Sequence, residues 1–321
     1  MIPAPLMTLV EAFAADGQVS HEEVAKLRAS LFPDGVVSRG EAEALFVLND
    51  RVAGGDASWG PAFAEAIADH VIDGGEPRGH VTDEGASWLE SRIKGDAKLT
   101  RATELEVVLK TLERAETAPP HLGHMARDLV RRAILDQDNI LGGDRDRVPG
   151  QIKAEEAELI RRTLHASAAC GGVWVTREEA EWLFELDEAT VGFDHDPDWQ
   201  DVFVKGVLNH LFNPAPSALV GREASRRRGA WLAEKTPLDA ARFWGRAFTG
   251  GPRGFGQRVR QPDAIDAMES HYAERVAVGE AAEAFDLAEA TYISVRTRKD
   301  GRKSPNEQAL MIAIKDAQVA A

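Results

Sequence analysis

Three observations predict an all-α protein. Helix-start signals recur along the chain, apolar residues follow them at three- and four-residue steps, and alternating runs closed by hairpin turns are nearly absent. The predicted architecture is two tandem copies of one helical bundle module, residues 1–143 and 144–250, followed by a C-terminal helical extension over residues 251–321.

The first start is Asp16-Gly17-Gln18-Val19-Ser20 with Glu23, and Val24, Leu27 and Leu31 then recur at helical spacing. The second is Asp34-Gly35-Val36-Val37-Ser38 with Glu41, followed by Ala42, Leu45 and Phe46. In such a capping box the Ser hydroxyl accepts from the first free backbone N–H groups. The Glu three residues on reaches back to the cap, while the glycine allows the preceding turn. Trp59, Phe63, Ile67 and His70 share one helical face, and Leu105, Val108, Leu109, Leu112 and then Ala126, Leu129, Val130, Ala133 mark two further helices. In the second half Thr176 with Glu179 opens a helix carrying Ala180, Leu183 and Phe184; Trp199, Phe203, Val207 and His210 share the face of the next. Residues 263–296 read as one long helix, and Ser304 with Glu307 caps a last one to about Ala317. Val36-Val37 and Val173-Trp174-Val175 are strand-like but too short for an independent sheet.

The tandem reading comes from the chain's self-similarity. Residues 38–50 align with 176–188, seven of the thirteen pairs being identical. Trp59, Phe63 and His70 then fall on Trp199, Phe203 and His210, Trp88-Leu89 on Trp231-Leu232, and upstream Glu22-Glu23 on Glu155-Glu156. The drifting offset places insertions in loops. The repeated tryptophans read as core anchors, and the histidines as core residues hydrogen-bonded to backbone carbonyls.

With 53 acidic and 38 basic residues, the net charge of −15 argues against charge-driven wrapping of nucleic acid. Residues 222–260 are the exception: ten basic and three acidic residues give +7, interleaved with Phe243, Trp244 and Phe255. That segment suits an anionic partner, or else the acidic remainder of the same chain or of a second subunit. The lone Cys170 forms no internal disulfide, no secretory signal is apparent and no stretch approaches a membrane span, so a cytoplasmic location is expected.

The segment Ala14-Ala15-Asp16-Gly17-Gln18-Val19-Ser20-His21-Glu22-Glu23 resembles the opening of TerB-like domains, the helical tellurite-resistance family. The resemblance implies a compact helical bundle from a family linked to metal and envelope stress and to phage defence, with Asp16 and Glu23 as its acidic positions. The same turn resembles the second half of an EF-hand loop. Its leading ligand positions hold Ala12 and Ala14, Ser30 and Phe32, or Arg296 and Arg298, which cannot supply the six or more oxygens that calcium takes.

The densest acidic cluster, Asp194-His195-Asp196-Pro197-Asp198 with Asp201, offers oxygen ligands for Ca2+ or Mg2+, while the same residues fit a negatively charged helix cap. The candidate metal residues are therefore Asp194, Asp196, Asp198, Asp16 and Glu23, with no other cofactor indicated. No nucleophile elbow, zincin motif or complete phosphate loop occurs, and no catalytic residue is nominated. The expectation is a non-enzymatic scaffold or stress-response protein acting through a protein partner or self-association, with weak divalent-cation binding. The alternatives are a Ca2+/Mg2+-binding protein and an enzyme with a pocket between the copies.

Overall fold

The computed structural model describes residues 4–15, 17–31, 37–52, 54–55, 57–76, 78–94, 101–135, 140, 148–168, 175–212, 292–294, 296 and 303–320. The fold is all-α. Among the described residues its helices are α1 (Ala4–Phe13), α2 (His21–Leu31), α3 (Arg39–Arg51), α4 (Trp59–Asp73), α5 (Asp83–Lys94), α6 (Ala102–Arg114) and α7 (Pro120–Leu135). The chain continues with α8 (Ala154–Ala168), α9 (Arg177–Ala189), α10 (Pro197–Phe212) and α11 (Pro305–Ala320). Tyr292, Ile293, Ser294 and Arg296 are also helical. Two-residue strands β1 (Gln18–Val19) and β2 (Gly54–Gly55) pair in parallel, Val19 opposite Gly55. Sequence reading missed this pairing, because two glycines carry no strand propensity. Val37, expected in a strand-like fragment, lies outside any strand. Among the described residues no helix is long and apolar enough to cross a membrane.

The chain divides into two compact units. One takes in Met1–Gln151 and the part of α8 from Leu159 onward; the other takes in Ile152–Glu158, α9, α10, the stretch through Tyr292, and α11.

In the first unit α4 is buried along most of its circumference, through Trp59, Phe63, Ala64, Ala66, Ile67, Ala68, Val71 and Ile72. The alanines on its sides let α3 and α6 approach closely. Against it α6 presents Leu105, Val108, Leu109 and Leu112, all essentially excluded from water. Full burial of each such side chain stabilises the fold by about 1.5–3 kcal/mol. In the second unit α10 holds the central position between α9 and α11, with Trp199, Phe203, Val204 and Val207 buried.

Helix starts follow the expected chemistry. Ser38 accepts from the Glu41 N–H and Glu41 returns to the Ser38 N–H at 2.7 Å; Thr176 and Glu179 do the same, the return bond being 2.8 Å. Gly17, at φ 74°, turns the chain into β1 as the sequence predicts, and Gly192, at φ 98°, turns it out of α9. The far end of α3 is closed by Arg101, whose guanidinium donates to the carbonyls of Asn49, Val52 (2.6 Å) and Asp50 (3.1 Å).

Candidate functional site

Trp59, Phe63, His70 and Trp88 meet in one cluster in the first unit, and Trp199, Phe203 and His210 in one in the second. In the first unit Phe46 of α3 meets Phe63 of α4 edge to face, centroids 5.2 Å apart at 86°, and Trp59 lies 5.6 Å from Phe63. Trp88 of α5 stands on edge against both Phe46 (5.8 Å) and His70 (4.9 Å). His70 Nδ1–H donates to the Val37 carbonyl at 2.7 Å. Glu43 gathers the rim: it accepts from Trp88 Nε1 at 2.8 Å and pairs with Arg92 at 3.2 Å, while the Arg39 guanidinium lies 4.7 Å over the Trp88 ring.

The second unit holds a similar set of ring contacts. Phe184 meets Phe203 at 5.1 Å and 87°, Trp199 lies 5.8 Å from Phe203, and His210 Nδ1–H donates to the Val175 carbonyl at 3.1 Å. The ring standing against Phe184 (6.4 Å) and His210 (6.0 Å) is Tyr292, with Arg177 over it at 5.1 Å. Arg296 lies 5.3 Å over Phe184 and pairs with Glu181 at 3.0 Å, just as Arg92 lies 5.3 Å over Phe46 and pairs with Glu43. Trp231, which sequence alignment pairs with Trp88, lies outside the described residues. The residue in Trp88's surroundings is Tyr292. The signal for it was the aromatic–aliphatic–x–x–Arg pattern shared by Trp88-Leu89…Arg92 and Tyr292-Ile293…Arg296, which the closer-looking Trp231-Leu232 masked.

A polar junction joins α3 to α6 in the first unit and α9 to α11 in the second. Asn49 Oδ1 accepts from Trp59 Nε1 at 3.3 Å and from Thr103 Oγ1 of α6 at 3.0 Å. At the aligned position Asp187 accepts from Ser304 Oγ at 2.5 Å and from Asn306 Nδ2 of α11 at 2.7 Å. Glu104 caps the start of α6 by accepting from the Arg101 N–H, and Glu307 caps α11 by accepting from the Ser304 N–H, both at 2.9 Å. Sequence reading found the Ser304–Glu307 box but neither junction, since a lone Asn or Asp in a helix looks solvated until its partners arrive from a distant segment.

Burial governs the electrostatics. It pushes the His70 imidazole below its usual pKa of 6.5, outweighing the stabilising bond to Val37. It also pushes the Asp187 carboxyl above the usual 3.8, although Ser304, Asn306 and the nearby His195 pull the other way.

The nominated metal residues are distributed as follows. Asp16 lies outside the described residues. Glu23 accepts from the Ser20 N–H (2.9 Å) and hydroxyl (2.7 Å), closing a capping box on α2. Asp196 accepts from the Asp198 N–H at 2.9 Å where α10 begins, Asp198 lies in that helix's first turn, and Asp194 is exposed. Asp201 pairs with Lys205 at 3.0 Å. His195 Nδ1 accepts from the Ile152 N–H at 3.1 Å, so its other nitrogen, Nε2, donates to the Thr190 carbonyl at 2.9 Å. Among the described residues no three His, Cys, Asp or Glu side chains are grouped as a metal ion requires. Cys170 and the basic segment 222–260 lie outside the described residues, as does most of the helix expected over 263–296. No family model, curated protein or solved structure matches the chain.

Proposed function

We propose that the chain is a helical scaffold made of two copies of one module and works by associating with protein, a second copy of itself or a different chain. The observation that carries this reading is the shared cluster. In both units the histidine, glutamate and arginines that would be first nominated for chemistry hold an aromatic stack between helices, with corresponding partners. Residues spent twice on the same packing task fit a module selected for shape. On this reading the second copy is completed late in the chain, by the stretch through Tyr292 and Arg296 and by α11, so the residues between α10 and Tyr292 are an insertion relative to the first copy.

The second unit also displays Val191, Phe193, Met311 and Ile312 to solvent, Ile312 at 62% and Val191 at 59% exposure. Apolar side chains in water of this kind suit a contact face. The resemblance of residues 14–23 to TerB-like domains agrees with a stress-response setting.

The test is light scattering of the full chain across micromolar concentrations, together with capture from the native cell, for the wild type and for Phe193→Asp/Ile312→Asp. Self-association or saturable retention of a protein that the double substitution abolishes supports the proposal. A wild type that stays monomeric and captures the same proteins as the doubly substituted chain overturns it. Calorimetric titration with Ca2+ and Mg2+ addresses the metal reading: saturable heat abolished by Asp194→Asn/Asp198→Asn would put cation binding in the scaffold's place.

A further inference from the structure

The two polar junctions differ in one chemically decisive respect. The first unit joins α3 to α6 through the neutral amide of Asn49, and the second joins α9 to α11 through the carboxyl of Asp187, itself 5% exposed. We infer that Asp187 is a proton-operated latch for the C-terminal helix, gripping α11 more firmly as the solution becomes acidic.

The geometry accommodates both protonation states. Ionised, Asp187 accepts from Ser304 Oγ through one oxygen and from Asn306 Nδ2 through the other. Neutral, it still accepts from Asn306 and can give its own proton to Ser304 Oγ, which already accepts from the Glu307 N–H at 3.0 Å and has a second lone pair. Both carboxyl oxygens therefore keep a hydrogen-bond partner in either state, the Ser304 hydroxyl proton turning away from Asp187 in the neutral one. What differs is the cost of holding a charge away from water, which only the ionised form bears.

The surrounding charges are few. His195, in the loop after α9, favours the ionised acid when its imidazole carries a proton on both nitrogens, while Glu188, next to Asp187 on α9, opposes it. Glu188 pairs with Arg296. On α11 the nearest acid is Glu307, engaged with the Ser304 backbone. Burial outweighs the two donors and His195, so the folded unit holds the proton more tightly than the open one does. For an acid shifted upward, linkage then gives a latch that strengthens as pH falls through the folded pKa and is fully closed below the ordinary aspartate value of 3.8.

Hydrogen exchange of the full chain tests this directly, reading the protection of α11 amides such as Leu310 and Ala313 between pH 7 and pH 4, with intrinsic rates divided out. In the wild type protection rises toward acid, by at most about tenfold per pH unit for a single proton. In Asp187→Asn, which installs the side chain already found at position 49, protection is higher at pH 7 and lacks that rise. A wild-type protection that is flat or falls toward acid overturns the inference, as does an Asp187→Asn chain that keeps the wild-type slope. The carboxyl carbon resonance of Asp187 in the wild type is a second reading that needs no substitution. A midpoint above the ordinary aspartate value supports the latch, and one at or below it overturns it.

Discussion

At the scale of single residues, His70 shows how a chemically versatile side chain becomes a structural one. Its Nδ1–H is committed to the Val37 carbonyl, its ring stands nearly perpendicular to Trp88, and burial favours the neutral form. The unfolded chain therefore binds more protons than the folded one just below the ordinary histidine pKa. The stability His70 provides is complete above pH 6.5 and is lost as pH falls from there through the lowered folded value. Denaturant midpoints at pH 7.5 and 5.5 should show this loss in the wild type. His70→Asn, whose amide N–H replaces Nδ1–H without titrating, should show a smaller one. Asp187 has the opposite sign, being an acid raised by burial: toward acid, His70 weakens the unit that holds it and Asp187 tightens the other.

At the scale of elements, the capping box is the recurrent device. Ser20 with Glu23, Ser38 with Glu41, Thr176 with Glu179 and Ser304 with Glu307 each satisfy backbone N–H groups at a helix start. These glutamates were legible in the sequence as cap partners, and the structure uses them so. Replacing Ser38 or Thr176 by Ala should each cost about 0.5–2 kcal/mol of stability, measured by denaturant unfolding, with the helix content of the folded state unchanged. Because α3 and α9 each carry a core phenylalanine and the rim glutamate, a frayed start would also loosen the aromatic cluster behind it. With either substitution, the near-ultraviolet circular dichroism signal from the tryptophans should soften before the helical signal does.

At the scale of the whole molecule, each unit has its own buried core, centred on α4 in one and α10 in the other. The first unit extends beyond residues 1–143: Arg162 of α8 donates to Glu113 of α6 at 2.8 Å and to both carboxylate oxygens of Glu106 at 2.8 and 3.0 Å. A fragment spanning residues 1–172 should therefore unfold cooperatively and at a higher temperature than one ending at residue 143, which leaves both glutamates without their arginine. Equal melting temperatures would mean that the Arg162 bridge contributes nothing to the unit.

Helix class, cap positions and the aromatic–histidine stripes were determined by the sequence alone, because each depends on residues within about one to four turns of one another, where spacing dictates which side chains share a face. Tyr292 at Phe184, Asp187 between Ser304 and Asn306, and the parallel pairing of Gln18-Val19 with Gly54-Gly55 were decided only by tertiary structure. Those contacts bring together residues from tens to more than a hundred positions apart. Local pattern carries no information about such closure; only the collapse of helices onto a shared apolar core selects which distant polar and aromatic groups become neighbours.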